Sequence, residues 1–340
     1  MTQPYIWQFV IPLILQFKIV GEKAYSFQRC FIHSFTMDIQ SSIQISIHSS
    51  PRFSTWLWIP EWRALFDAGD GASQQLGYKI RKIDTVACTH AHRDHLGGLL
   101  QVVNQRGEAG SFAVAFPCGS HSFSQLEDFS NKFNPGASRN AVWHALEEGD
   151  ELQTSVEGKF LKAFRTRHYA DEDRNAAPRS LGFHLMWRKQ KVREEFRTLP
   201  QAELDAIRAE LGREGITSPI DEKWITVGGD GEPLNIEEIR DTKLLLHEAT
   251  FLHEDDYDAE EAGEDIGHVH STVAGVLQLA QKAEIENLVL YHISTRYTDS
   301  EIRGAIREIA QNLNLKTRVW AAMPRRVHWD LLKEKPIWEG

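Results

Sequence analysis

A single α/β domain is the architecture this chain predicts, and three observations predict it. Short apolar runs with strand character alternate with helical stretches along the 340 residues. No Pro/Gly/Ser linker, low-complexity tract or internal repeat divides them, so the two domains that length alone would suggest have no boundary to occupy. Five of the apolar runs end at, or close to, a residue able to bind a metal, and strand ends are where ligand sites collect in layered α/β proteins.

Residues 1–40 show no clear period, and Met37 stands just ahead of the first regular pattern, so they are expected to be an N-terminal extension to a domain spanning 41–340. Ile43, Ile45 and Ile47 alternate with polar residues as a strand does, and Thr55–Ile59 and Arg63–Phe66 continue an opening meander. The five strand-to-ligand runs follow. Ile83–Cys88 leads to His90, Phe160–Phe164 to His168, Trp224–Val227 to Asp230, Leu244–Leu246 to His247 and Glu248, and Leu288–Tyr291 to His292. Between them, Val273, Val276, Leu277 and Ala280 share one face of a helix expected over Ser271–Ala283. Leu204, Ile207 and Leu211 mark another, entered after Pro200 and closed by Gly212.

Composition excludes several classes. Hydrophobic residues make up 41% and charged residues 25%, as in globular proteins with a substantial core. With 38 Lys plus Arg against 48 Asp plus Glu, the net charge of -10 gives no overall basic field for a polyanion, which would need a local patch. Cys30, Cys88 and Cys118 form no CxxC pair and no even disulfide set, so buried thiols in a reducing, cytoplasmic setting are expected. The apolar segment Tyr5–Val20 is interrupted by Pro12, Gln16 and Lys18 and is too short to span a bilayer, so no membrane partner is expected. Serine-elbow, phosphate-loop and dinucleotide fingerprints are absent from the sequence.

The densest chemical signal is Thr89-His90-Ala91-His92-Arg93-Asp94-His95, with three imidazoles and a carboxylate within six positions after a strand. Neutral imidazoles and carboxylates suit Zn²⁺ and its neighbours. A turn with this spacing can aim His90 and His92 at one ion and Asp94 and His95 at another.

His90-x-His92-x-Asp94-His95 resembles the metal motif of the metallo-β-lactamase fold. Phe66-Asp67-Ala68-Gly69-Asp70-Gly71, Asp230 after Gly228-Gly229, His247-Glu248-Ala249-Thr250-Phe251 and His292-Ile293-Ser294-Thr295-Arg296-Tyr297 narrow the likeness. Together they resemble ribonuclease Z, the tRNA 3′-processing endonuclease, in its short form. The likeness runs from about residue 43 to about residue 328, in the family's order, and includes Phe53-Ser54-Thr55-Trp56 and Ser180-Leu181-Gly182-Phe183-His184. Residues 1–40 have no counterpart, and the Gly/Pro-rich arm that longer relatives carry between His168 and Asp230 is replaced by a basic run and a helix.

The resemblance implies a four-layer αββα sandwich with the metal site at the strand ends. It implies one ion on His90, His92 and His168, a second on Asp94, His95 and His292, and Asp230 on both. Two Zn²⁺ are expected, with Mn²⁺ or Fe²⁺ as alternatives. The implied activity is endonucleolytic removal of the 3′ trailer from precursor tRNA by a homodimer, with a metal-activated hydroxide as nucleophile. A single His base, worth about 10²- to 10⁴-fold, falls short of what a phosphodiester requires, on the order of 20 kcal/mol, whereas a metal pair is a sufficient source. Asp94 would accept or orient the nucleophile's proton, and His270 would protonate the leaving 3′-oxygen while Glu248 fixes its tautomer. Glu248 and His270 as no more than braces for the helix near Ser271 is the competing role. Asp67 is expected to brace the metal loop, and Thr226 to assist near Asp230. Arg188, Lys189, Lys191, Arg193 and Arg197, with Arg165 and Arg167 beside His168, form a candidate RNA patch. Two other functions stay open, a hydrolase of a small phosphodiester or other ester without tRNA specificity, and a noncatalytic RNA-binding relative.

Overall fold

Alternation of side chains along each strand builds the architecture. In the segment Leu244-Leu245-Leu246 the outer two leucines join a core between two sheets, while Leu245 turns to a separate core under helices. Trp56 and Trp58 likewise face helices, and their neighbours Leu57 and Ile59 face the opposite sheet. Strands apolar on both faces must be covered on both faces, and four layers follow.

The computed structural model describes residues 38–169, 173, 175–256 and 270–340. The first sheet contains β1 (Ser46–Ser50), β2 (Ser54–Ile59), β3 (Ala64–Phe66), β4 (Thr85–Ala87), β5 (Phe112–Pro117) and β6 (Ala141–Leu146). The second contains β7 (Glu151–Gln153), β8 (Lys159–Arg165), β9 (Leu181–Val192), β10 (Thr217–Val227), β11 (Leu244–Glu248), β12 (Asn287–Tyr291) and β13 (Arg318–Ala321). A last short strand, β14 (Val327–His328), returns to the first sheet, giving the orders β14-β1-β2-β3-β4-β5-β6 and β13-β12-β11-β10-β9-β8-β7. In each sheet an antiparallel half meets a parallel half, and β3 to β6 and β10 to β13 run parallel.

The helices are α1 (Ile39–Ser42), α2 (Ala72–Leu76), α3 (Arg93–Leu96), α4 (Leu99–Gly107), α5 (His121–Phe133), α6 (Pro135–Ser138), α7 (Gln201–Ile216), α8 (Ile236–Ile239), α9 (Val273–Lys282) and α10 (Asp299–Asn312). Helices α2, α4 and α5 cover the first sheet through Leu76, Val102, Val103 and Phe123, and α9 and α10 cover the second through Val276, Leu277, Ile302 and Ile306. The expected αββα sandwich is the observed one.

Most expected elements are present with shifted ends. Ile43, Ile45 and Ile47 all reach the central core, but β1 begins only at Ser46. Arg63 takes a left-handed backbone, so β3 starts one residue later than its apolar run. Helix α7 is interrupted at Gly212, whose backbone is not helical. The basic run after Gly182 is strand, part of a ribbon in which β9 and β10 pair as far as Val192 and Thr217.

Residues Asp38–Gly340 form one unit, and the remainder of the expected N-terminal extension, residues 1–37, lies outside the described residues. So do Cys30 and the Tyr5–Val20 segment. Among the described residues no helix is long and apolar enough to cross a membrane. Cys88 and Cys118 are free thiols, the first buried and the second half-buried.

Candidate metal centre

Four loops leave the strands at one edge of the sandwich, and each delivers its ligand side chains to the same place. After β4, the chain passes His90 and His92 and then turns through α3, a single helical turn that carries Asp94 and His95. His168 follows β8, Asp230 follows β10, and His292 follows β12 directly. Gly231 takes a φ of +148° with its α-carbon against the chain at Arg167, where a β-carbon would lie 2.6 Å from the carbonyl oxygen. Only glycine allows the Asp230 loop to approach the His168 loop so closely.

The side chains converge in overlapping groups whose ligand atoms lie within 4.8 Å of one another: His90, His92 and His168; His90, His95 and Asp230; Asp94, His95 and His292; and Asp230, His270 and His292. Asp230 Oδ2 is 3.1 Å from both His95 Nε2 and His292 Nε2. All seven expected ligands are therefore in one cluster, with Asp230 between the two halves.

Outer hydrogen bonds determine which imidazole nitrogen points inward. Asp67 accepts from the Thr89 amide at 2.7 Å, from the Thr89 hydroxyl and from His95 Nδ1 at 2.8 Å. Having donated its proton to Asp67, the Thr89 hydroxyl accepts from His90 Nδ1 at 2.9 Å. Across the site the Thr250 hydroxyl donates to Glu248 and accepts from His292 Nδ1, both at 3.0 Å. His90, His95 and His292 thus all aim Nε2 at the centre. The β1–β2 hairpin adds a main-chain contribution, since the Arg52 amide donates to Asp94 at 2.9 Å and the Ser49 hydroxyl accepts the His292 amide at 3.0 Å. His292 itself has a φ of +58°, in the left-handed region that few non-glycine residues adopt.

These residues fit a cation. His90 Nε2 and Asp230 Oδ1 are buried with no hydrogen-bond partner among the described residues, although polar atoms so placed are seldom left unsatisfied. His95 Nε2 and His292 Nε2 face each other at 3.3 Å, and His92 Nδ1 and His168 Nε2 at 3.0 Å. Two imidazole lone pairs so disposed repel unless a proton or a cation lies between them.

The electrostatics agree. Burial holds His90 well below its ordinary pKa, as a neutral ligand. Burial also opposes charge on His95, but Asp230 and Asp67 outweigh it and raise that group well above its ordinary value. Burial would raise Asp94 and Asp230, yet the hydrogen bond from His292 and the His95 charge keep Asp94 well below the usual carboxylate range, and His292 and His95 do the same for Asp230.

His270 borders this cluster, its ring stacked 5.6 Å from that of His292. Glu248, fully buried, accepts from His270 Nδ1 at 3.0 Å, and the same oxygen accepts the Ser271 amide at 2.9 Å and the Gly231 amide at 3.2 Å. Glu248 therefore holds the segment leading into α9 and the His270 ring at once. Burial disfavours a charged His270, but Glu248 reverses this and raises it.

Other expectations fare differently. Thr226 does not assist Asp230: strand alternation turns it to the opposite face of β10, where its hydroxyl meets His184 and Thr242, both at 3.1 Å. Arg188 is held by Asp221 at 2.7 and 2.8 Å and Lys189 by Glu222 at 2.8 Å, across the β9–β10 ribbon. Arg193 donates to the Thr217 and Glu214 carbonyls and Arg197 to that of Val192, while Lys191 is exposed. Arg167 pairs with Glu232 at 3.1 Å. Thr89, Thr250 and Ser49 had no role from sequence, though the first two lie inside the quoted motifs.

Comparison with known proteins agrees with this fold. Residues 62–193 match a family model described as a beta-lactamase superfamily domain. The metallo-beta-lactamase fold protein YhfI from Bacillus subtilis superposes with a TM-score of 0.53 at 14% identity, covering 84% of this chain and 99% of that one. The chain has the metallo-β-lactamase fold. It also resembles ribonuclease Z over most of its length. The relative from Methanosarcina acetivorans is 28% identical over 69% of this chain and 79% of its own. That from Halalkalibacterium halodurans is 28% identical over 73% of this chain and 82% of its own.

Proposed function

We propose that this chain is a metal-dependent endoribonuclease that removes the 3′ trailer from precursor tRNA. The observation that carries the reading is the convergence of all seven ligand side chains beside a His270 oriented by Glu248, in a chain that resembles ribonuclease Z. His90, His92 and His168 would hold one divalent ion and Asp94, His95 and His292 a second, with Asp230 reaching both. Ions so held would supply Lewis-acid polarisation of the phosphoryl oxygens and acidify water. The donor set of imidazoles and carboxylates suits Zn²⁺, with Mn²⁺ or Fe²⁺ as substitutes.

The chain's own residues do the rest. Asp94, kept ionised, orients the proton of the attacking water. As the bond from phosphorus to the nucleoside 3′-oxygen breaks, His270 delivers a proton to that oxygen, and Glu248 balances the imidazolium charge beforehand. The tRNA leaves with a 3′-hydroxyl and the trailer with a 5′-phosphate. Lys191 on the ribbon and Arg193 and Arg197 just beyond its end are the proposed RNA contacts, since Arg188 and Lys189 are already committed to carboxylates. The free thiols of Cys88 and Cys118 support a reducing, cytoplasmic setting, and the family resemblance supports a homodimer.

The compensated charges of Arg188 and Lys189 favour a second reading, hydrolysis of a small phosphodiester. Cleavage of a precursor tRNA and of bis(p-nitrophenyl) phosphate, compared over a range of salt, separates the two. Cleavage of the precursor at the trailer junction, weakening steeply with salt, is expected. Turnover of the small ester alone would replace the first reading with the second.

A further inference from the structure

We propose that the 3₁₀ turn Gly77–Lys82, with Trp329 beside it, is a docking surface for the phosphate backbone of the helical part of an RNA substrate, away from the bond that is cut. This rests on the endoribonuclease reading and deepens it by giving the same substrate a second point of contact.

A 3₁₀ helix repeats every three residues, so side chains at i and i+3 share a row. Ile80 and the following Ile83 form the buried row, in the core shared with α2 and α4. Two rows remain outside it, Tyr78 with Arg81 and Lys79 with Lys82. Tyr78 is 88% exposed, and Arg81 and Lys82 are exposed as well. Lys79 places its Nζ 3.6 Å from the centre of the Trp329 ring, which keeps 42% of its surface open. Both pieces of chain are anchored. The Lys82 carbonyl accepts from Arg63 Nε at 2.9 Å and the Trp329 carbonyl from the Ser46 hydroxyl at 2.6 Å. The Trp329 ring also rests 6.2 Å from that of Trp56, whose indole donates to Gln75 at 2.8 Å.

The charge of this surface is uncompensated. Among the described residues, none of Lys79, Arg81 and Lys82 has an ion-pair partner, whereas Arg188 and Lys189 on the ribbon are each held by a carboxylate. Residues 71–83 contain no Asp or Glu, and Asp330, next to Trp329, is taken by Lys333 at 2.8 Å. Burial and the Lys82 charge hold the Lys79 ammonium below its ordinary pKa, so the two cations repel and an anion laid across them relieves both. In a chain of net charge -10, this is a local patch of the kind a polyanion needs. Open aromatic faces interleaved with cations suit RNA, whose riboses and bases lie beside its phosphates. The turn enters β4 at the end of that strand opposite His90, so Lys82 stands on the order of 20 Å from the metal cluster, at about 3.3 Å per residue. No side chain of the turn reaches the phosphate being cleaved, but the stem of a folded RNA spans that distance.

The test uses the full chain loaded with zinc, assayed on precursor tRNA and on bis(p-nitrophenyl) phosphate, which has no stem to dock. In the double variant Arg81→Glu, Lys82→Glu the ratio of kcat/KM on the precursor to that on the ester should fall about 10-fold, through KM. The slope of log kcat/KM against log salt should become shallower by about 1.5, the loss of two phosphate contacts. Arg81→Lys should retain the slope because it keeps the charge, and Tyr78→Ala should raise KM without altering it, because an aromatic face carries no charge. An unchanged KM and slope in a double variant that melts as wild type does, or equal losses on both substrates, would overturn the assignment and leave the turn as a solvated face. Wild-type protein that turns over the ester and leaves the precursor intact would instead sink the endoribonuclease reading, and the assignment with it.

Discussion

At the scale of single residues, the site is organised by outer partners as much as by its ligands. A buried carboxylate costs free energy unless it is satisfied, and each one here has a stated use. Asp67 takes three donors and so fixes Thr89, and through it His90, together with His95. Glu248 takes the amides of Gly231, Thr250 and Ser271, and then His270. Because Glu248 acts through an imidazole, the decisive residue to remove is His270. His270→Ala should keep the metal content and the melting temperature near wild type while lowering kcat on precursor tRNA by about 10²- to 10⁴-fold, the range of a lost general acid. Steady-state kinetics with metal analysis on the same sample checks this, and wild-type turnover in that variant would take His270 out of the reaction.

Among elements, the tightest constraint lies where the Asp67–Gly71 loop, the β1–β2 hairpin and α3 meet. A β-carbon on Gly69 would sit 2.3 Å from the Asp94 carbonyl oxygen and 2.4 Å from the Thr55 amide nitrogen, both main-chain atoms that cannot turn aside. Helix α3 is only one turn long, so any displacement carries Asp94 and His95 with it. Gly69→Ala should therefore destabilise the fold by roughly 2 kcal/mol or more and lower metal occupancy together, as overpacking does at an unyielding contact. Thermal unfolding and metal titration would read the two effects, and full occupancy with an unchanged melting temperature would show that the loop can yield. The β9–β10 ribbon shows the opposite situation. Its cations are matched by carboxylates 33 residues on, Arg188 by Asp221 and Lys189 by Glu222, in a register that no local window displays.

For the whole molecule, sequence was informative where chemistry is local and silent where it depends on partners across the fold. The His90–His95 cluster could be read within six positions, and the distant ligands because each follows an apolar run. The Arg52 amide on Asp94, the Ser49 hydroxyl under His292 and the true direction of Thr226 depend on which strands pair and which face they present, so no motif carried them. The same long-range construction ties stability to metal. Ligands come from loops of both sheets, with His90, His92, Asp94 and His95 from the first and His168, Asp230 and His292 from the second, so bound ions would clasp the sandwich at one edge. Stripping them leaves buried carboxylates and opposed imidazoles without a counter-charge. Ligand linkage gives about 2.7 kcal/mol at a free metal concentration of 100 Kd, and about 2 to 4 °C per kcal/mol in a domain of this order of size. Exhaustive chelation should therefore lower the melting temperature by roughly 5 to 10 °C, and added Zn²⁺ should restore it. Scanning calorimetry on metal-free and reloaded protein measures the difference. Identical melting curves, with metal loss verified, would mean that the cage stands without a cation and that the seven side chains are held by the fold alone.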